Sequence, residues 1–331
     1  AGLTAMVGFW ATLSLNIPDF SRYAKSQKDQ IVGQIIGLPL TMFLFASLGV
    51  VMTAASVKLV GVTVSDPVTL IGHIQSPVWV ALAMALIIIA TLLAMKLVAF
   101  GDMKPNLKKQ FEIFKDKHTW SMTLLYIVTF GSFIGFSMAL PLSIKVIFGV
   151  SHVRDAAGVM QHTLSNPNAP PALTYAWIGP FVGALIRPVG GWIADKAGGA
   201  IVTQIISALM VIASVAVGYV MMLAYQSATP DEYFLVFMLL FVVLFAASGI
   251  GNGSTFRSIG VIFNRTQAGP VLGWTSAIAA YGAFIAPVVI GEQINAGTPQ
   301  VAMYGFAVFY ALCLILNWWF YLRRNAYVKN P

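Results

Sequence analysis

Tyr233-Phe234-Leu235-Val236-Phe237-Met238-Leu239-Leu240-Phe241-Val242-Val243-Leu244-Phe245-Ala246-Ala247-Ser248-Gly249-Ile250-Gly251-Asn252-Gly253-Ser254-Thr255 contains no charged side chain. A helix crosses the hydrocarbon core of a bilayer with about 20 apolar residues, so this stretch is long enough to span. It is continuously apolar and does not alternate, which favours a helix over a barrel strand. Eight further runs read the same way. They are Ala1–Ile17, Ile31–Val57, Pro77–Met95, Thr119–Leu142, Pro171–Ala194, Ile201–Tyr225, Ala268–Ile290 and Val301–Leu322. The expectation is an all-α polytopic membrane protein with nine spans.

Composition agrees. Of 331 residues, 58% are hydrophobic and 9% charged, with a mean hydropathy of +0.82. Soluble domains carry about 25% charged residues, so an ordinary water-soluble enzyme is excluded and no enzymatic activity is expected. Cys313 is the single cysteine, which removes disulfides and Cys-based metal sites. The four histidines, His73, His118, His152 and His162, are far apart in polar stretches, so neither a metal site nor a cofactor is expected. The chain opens on Ala1 and turns apolar almost at once, without a charged leader or a small-residue cleavage site. That reads as a fragment lacking an upstream part.

The net charge of +8 is spread over short loops, so it points to membrane orientation and not to nucleic acid. Lys96, Lys104, Lys108, Lys109, Lys115 and Lys117 place the loop Lys96–His118 in the cytoplasm. Counting spans from there puts Arg22, Lys25, Lys28, Lys196, Arg257, Arg265, Arg323, Arg324 and Lys329 inside as well. Only Lys58, Lys145 and Arg154 remain outside. Phe111 and Phe114 with their flanking lysines allow a short amphipathic helix on the membrane surface; a solvated connector between two bundles is the preferred reading. The outer segment Ser143–Pro171 contains Asn166-Pro167-Asn168-Ala169-Pro170-Pro171, a turn-rich stretch that must end one helix before the next starts. The setting is an integral membrane, with a bacterial inner membrane expected.

All eleven carboxylates fall in loops or at helix ends, whereas Arg187 lies inside the run Pro171–Ala194. An ionisable residue at bilayer depth is a functional hypothesis by default; the alternative is an arginine that snorkels to the interface. A guanidinium suits a planar oxyanion, to which its fork can donate two parallel hydrogen bonds. The small residues of Gly131–Ser137, Ser248–Ser254 and Gly273–Gly282 serve either close helix packing or a backbone-lined cavity.

Gly190-Gly191-Trp192-Ile193-Ala194-Asp195-Lys196-Ala197-Gly198-Gly199 resembles the G-x-x-x-D-[RK]-x-G-G loop of the major facilitator superfamily. The resemblance implies a gating role for Gly191, Asp195, Lys196 and Gly198; a carboxylate closing a tight helix-end turn is the plainer reading. Leu125-Tyr126-x-x-x-Phe130-Gly131-Ser132-Phe133-Ile134-Gly135-Phe136-Ser137, Gly179-Pro180-Phe181-x-Gly183-Ala184-Leu185-x-Arg187, Gly251-x-Gly253-Ser254-Thr255-Phe256 and Gly273-x-x-Ser276-Ala277-Ile278 together resemble the second half of a nitrate/nitrite porter. The likeness covers residues ~96–331. It implies that Arg187 is one of two arginines clamping a small anion, that Tyr126 and Phe130 line its site, and that backbone at Gly251, Gly253 and Gly273 lines the cavity. The second arginine would come from an absent amino-terminal half, an expected partner of this chain.

Gly8-Phe9-Trp10-Ala11-Thr12-Leu13-Ser14-Leu15-Asn16-Ile17-Pro18-Asp19-Phe20-Ser21-Arg22-Tyr23 resembles instead the sixth helix and following loop of the nucleobase:cation symporter-1 family. Gln30-x-x-Gly33-Gln34-x-x-Gly37-Leu38-Pro39 continues the likeness. That family has five-helix inverted repeats, and the resemblance implies that Trp10 packs on a heterocyclic substrate. Its polar A-T-x-S-T-N helix is replaced here after Ala90-Thr91-Leu92 by Leu93-Ala94-Met95. The expected organisation is a chimera: residues 1–92 a symporter-like three-helix fragment, 93–118 a basic connector, and 119–331 a major-facilitator six-helix half. Three functions follow: nitrate or nitrite transport, heterocycle transport with a cation, or a non-transporting fragment.

The orientation has a direct test. Single cysteines at Lys109 and Asn168 should be labelled by an impermeant thiol reagent from opposite sides of the membrane. Labelling of both from one side would contradict the span count.

Overall fold

The computed structural model describes residues 111–331 and, upstream of them, scattered positions between Ser47 and Ala85. The chain divides into two compact units; residues 111–331 lie in one and the scattered positions in the other. Apart from those positions, the first three expected spans lie outside the described residues, as do residues 93–110 and Trp10.

Six helices among the described residues are long and apolar enough to cross a membrane: Lys117–Phe148, Ala172–Ala197, Gly199–Tyr225, Pro230–Ile262, Thr266–Asn295 and Pro299–Leu322. They match the last six expected runs, here called the first to sixth spans, and the count of nine is not reached among the described residues. The fourth runs past its apolar stretch to Ile262 through Arg257 and Ser258, because a helix satisfies its own backbone at the interface as well as in the core. Asn264 starts the fifth by accepting hydrogen bonds from the N–H groups of Thr266 and Gln267 at 3.1 and 3.0 Å.

The first and fifth spans depart from a plain α-helix within the bundle. The first widens into π-helical turns at Ile127–Gly131 and Ile144–Phe148, the second of these just beyond Pro141, which has no N–H to donate. The fifth is interrupted by a turn at Tyr281.

The turn read at Asn166–Pro171 is present, before the helix that starts at Ala172, and the outer segment ahead of it is ordered further. Helix continues to Phe148, and then β1 (Val150–Arg154) pairs antiparallel with β2 (Met160–Ser165). Asp155 closes the hairpin by accepting from the N–H groups of Ala157 and Val159, both at 2.9 Å. These bonds hold its carboxyl below the usual carboxylate range, the Val159 bond contributing most. Gly158 takes φ +79°, which glycine adopts at no steric cost.

Helix association inside lipid cannot lean on the hydrophobic effect, so close packing must supply it. The second and fourth spans meet backbone to backbone. A Cβ at Gly249 would collide with the Gly183 carbonyl, and one at Gly253 would fall 2.6 Å from the Arg187 carbonyl oxygen and 2.7 Å from the Gly191 nitrogen. The first and fifth spans approach similarly, since a Cβ at Gly135 would lie 2.7 Å from both Ala286 Cβ and the Gly282 carbonyl. Around these crossings the fourth span presents Phe237, Phe241 and Phe245 to Phe148, Phe136 and Phe133 of the first, with ring centroids 4.8, 5.7 and 5.7 Å apart.

At the other end of the bundle, Phe114 packs edge-on against Trp274 at 4.7 Å while Phe111 stays exposed. The carboxy-terminal tail folds back there too. Asn330 donates to the Ala197 carbonyl at 2.8 Å and accepts from the Ile201 N–H at 3.1 Å. It thereby caps the third span, whose own Gly198 has no side chain to do so.

Candidate functional site

Arg187 is buried, with 7% of its surface exposed. It lies eight residues before Asp195 on one helix, about 12 Å deeper along the axis. Its backbone is fixed by the contact with Gly253, and its guanidinium carbon lies 5.7 Å from the ring centre of Phe256. Phe256 in turn belongs to a buried cluster with Tyr126, Phe130 and Ala279. Tyr126 and Phe130 are themselves 5.2 Å apart.

The arrangement thus links Arg187 through Phe256 to Tyr126 and Phe130, residues from three different spans. The π turn at Ile127–Gly131 begins immediately after Tyr126 and contains Phe130. Such single π turns occur often at functional sites. Thr129 in the same turn shares a hydrogen bond with Thr255 at 3.1 Å, which ties the first span to the fourth beside the aromatic cluster.

Sequence reading did not single out Phe256 or Asn252. Asn252 is 3% exposed, and its side-chain oxygen is buried without a hydrogen-bond partner. Four residues before Phe256, it shares that residue's helix face. A buried polar side chain inside an otherwise apolar run was the available signal, and the surrounding glycines drew attention from it.

The glycines divide. A Cβ at Gly251 would fall 2.5 Å from Thr129 Cγ2, so Gly251, like Gly253, serves close helix packing. Gly273 has no such neighbour and is exposed. A cavity of about 600 Å³ lies among the first, fifth and sixth spans, lined by residues such as Ser132, Phe136, Ile285, Phe306 and Tyr310. Arg187, Tyr126 and Phe130 are not part of it. Its walls are mainly apolar, with the Ser132 and Tyr310 hydroxyls bonded to each other at 2.7 Å, so it offers little to an anion.

In the loop motif, Asp195 accepts a hydrogen bond from Arg257 of the fourth span at 3.1 Å. The carboxylate side chain is 68% exposed, so the bond contributes little stability. Gly198 takes φ +92° to end the helix. Gly191 has open space around it, and Lys196 places its ammonium 3.9 Å from the Trp192 ring centre.

The histidines are not all apart, which corrects the sequence reading. The hairpin brings His152 and His162 into contact, Nδ1 to Nδ1 at 2.6 Å, and His162 stacks on Tyr225 with centroids 4.3 Å apart. His152 also reaches the Ile147 carbonyl through Nε2 at 2.8 Å. The bonds fit one neutral assignment: His152 donates from Nε2 and accepts at Nδ1 from the Nδ1–H of His162. No group of three metal-ligating residues forms among the described residues.

Comparison with known proteins adds two likenesses. Residues 1–103 match the family model described as "Permease for cytosine/purines, uracil, thiamine, allantoin". The chain is 38% identical over 258 residues to the "Probable nitrate/nitrite antiporter NarK2" of Thermus thermophilus, covering 76% of this chain and 54% of that protein. It is 33% identical over 244 residues to the nitrate/nitrite transporter NarU of Escherichia coli K12, covering 67% and 48%. Over 115 residues it is 46% identical to the purine-uracil permease NCS1 of Arabidopsis thaliana, covering 34% and 19%. The chain resembles two transporter families. It spans about half the length of the nitrate/nitrite relatives, and the likeness as a whole is chimera-like.

The His152–His162 pair predicts a pH response of the hairpin. Burial is the main cause that lowers both imidazoles below their ordinary value; at His152 it outweighs the Ile147 bond, and the charge of His162 adds to it. The folded hairpin therefore holds them neutral, and its stability is full above about pH 6.5. That stability is lost as pH falls from there through the lowered values, where the unfolded segment binds more protons. The protection of amides across 150–165, taken relative to their intrinsic exchange rate at each pH, should fall on acidification from about pH 8 to about pH 5, and His162→Phe should flatten the response. A parent profile without pH dependence would contradict the pairing.

Proposed function

We propose that the chain carries half of a secondary transporter for nitrate or nitrite, with Arg187 as its anion-binding charge. The observation that carries this reading is a guanidinium 7% exposed at bilayer depth, touching Phe256 and through it the Tyr126–Phe130 pair. Burying that charge is expensive, and a bound planar anion offsets the cost through two charge-assisted hydrogen bonds. Asn252 stands one turn from Phe256 with an amide that suits the same oxygens. Likeness to the nitrate/nitrite transporters of Thermus thermophilus and Escherichia coli supports the substrate class.

In this reading residues 119–331 are a six-helix half-bundle of the major-facilitator type, and 93–118 connect it to the symporter-like fragment 1–92. Tyr126 and Phe130 wall the anion site against lipid. Gly191, Asp195, Lys196 and Gly198 form the gate, at which the half-bundle meets an amino-terminal half, with Asp195 held by Arg257 of the fourth span. The bacterial inner membrane is the proposed location. The match of residues 1–103 to a permease model favours a second reading for that block, heterocycle transport in which Trp10 stacks on the substrate.

The test is nitrate uptake into proteoliposomes by the chain completed with an amino-terminal half from the Thermus thermophilus relative. Arg187→Ala should weaken nitrate handling roughly ten- to a hundred-fold, the cost of a charge-assisted hydrogen bond. Arg187→Lys should also be impaired, because an ammonium lacks the planar fork. Uptake equal to the parent by both variants, inserted and folded, would refute the role of Arg187.

A further inference from the structure

The sixth span ends in exposed aromatics. Its last turn is π-helical, Trp318–Leu322, and Trp318 and Trp319 are each about half exposed. The chain then reverses. The Tyr327 N–H donates to the Phe320 carbonyl at 3.2 Å and the Asn330 N–H to the Tyr321 carbonyl at 2.9 Å, so the ring of Tyr327 is held against the bundle end and not left on a loose tail.

Two cations converge on that ring. Lys117, the first residue of the first span, sets its ammonium 3.1 Å from the ring centre. Arg323 sets its guanidinium carbon 5.3 Å from the same centre and 4.1 Å from that of Trp319. Both charges thus stand within 5.3 Å of one ring centre. Arg323 Nε is buried and has no hydrogen-bond acceptor.

No carboxylate among the described residues forms an ion pair with either cation. The nearest in sequence, Asp116, is used as the helix cap, accepting the His118 N–H at 2.8 Å. A ring face attracts a cation, but it does not neutralise two.

We propose that Lys117 and Arg323, set about the Tyr327 ring, bind the phosphate of an anionic membrane lipid. A phosphodiester supplies the anionic oxygens that two neighbouring cations lack. The bilayer delivers it to this place: the site joins the ends of two membrane spans, and exposed tryptophans belong at headgroup level. The chemistry is shared with free phosphate, but the position and the aromatic flank favour the lipid.

The test is native mass spectrometry of the purified full chain, titrated with phosphatidylglycerol or phosphatidylcholine of identical acyl chains. The parent should bind the anionic lipid more tightly. Arg323→Gln and Lys117→Gln should each weaken that binding about five-fold, whereas Arg324→Gln, exposed and outside the aromatic bracket, should leave it within about two-fold. Lys117 is exposed, so its variant keeps the test open if Arg323→Gln does not fold. Inorganic phosphate should not displace the bound lipid. Equal binding of the two lipids, retention by both variants, equal loss in Arg324→Gln, or displacement by inorganic phosphate would each overturn the assignment.

Discussion

Everything placed at bilayer depth in the described unit depends on how closely the second and fourth spans approach. In lipid, two apolar helices gain nothing by hiding from a solvent that is itself apolar; they gain only from close packing and the hydrogen bonds it permits. Gly183 meets Gly249, and the backbone around Arg187 and Gly191 meets Gly253. With no Cβ at these points, the fourth span comes near enough for Phe256 to lie beside the Arg187 guanidinium. A charged side chain is thereby held inside the bundle on a backbone that cannot slide. The same crossing sets Asp195 opposite Arg257 nearer the helix end, so the proposed anion site and the proposed gate are coupled through a single helix pair.

The fold was legible where one strong local signal suffices. Six long apolar runs became six spans, because no other structure satisfies the backbone in hydrocarbon. Arg187 stood out for the same reason, as one charge inside an apolar run. The features that escaped depend on partners distant in sequence. His152 and His162 meet only because a short hairpin folds between two spans, and strands of five and six residues carry little periodic signal beside helices of thirty. Arg257 as partner of Asp195, Phe256 as the bridge to Tyr126, and Asn330 as the cap of the third span all lie across helix contacts that no local pattern encodes. The glycines were legible as small residues, but their contacts were not: Gly251 and Gly253 let Thr129 and the Arg187 backbone approach, whereas Gly273 has open space beside it.

The two ends of the bundle are built differently. The end bearing Asp195 and Arg323 is basic and aromatic, and its tail is clasped by Asn330. The opposite end carries the hairpin, joined to the third span by Tyr225 and the histidine pair, and to Asp231 through Asn166 at 3.1 Å. Neither device touches Arg187. Each fixes a connection at one end of the bundle.

The most direct measurement compares Gly253→Val with Gly273→Val for thermal stability in detergent and for nitrate binding. A side chain at Gly253 must displace the Arg187 and Gly191 backbone, and overpacking of that kind costs about 1–3 kcal/mol. At Gly273 it meets open space. The account predicts that Gly253→Val lowers both stability and nitrate binding while Gly273→Val stays close to the parent in both. A Gly253→Val protein as stable as the parent and binding nitrate equally well would contradict it.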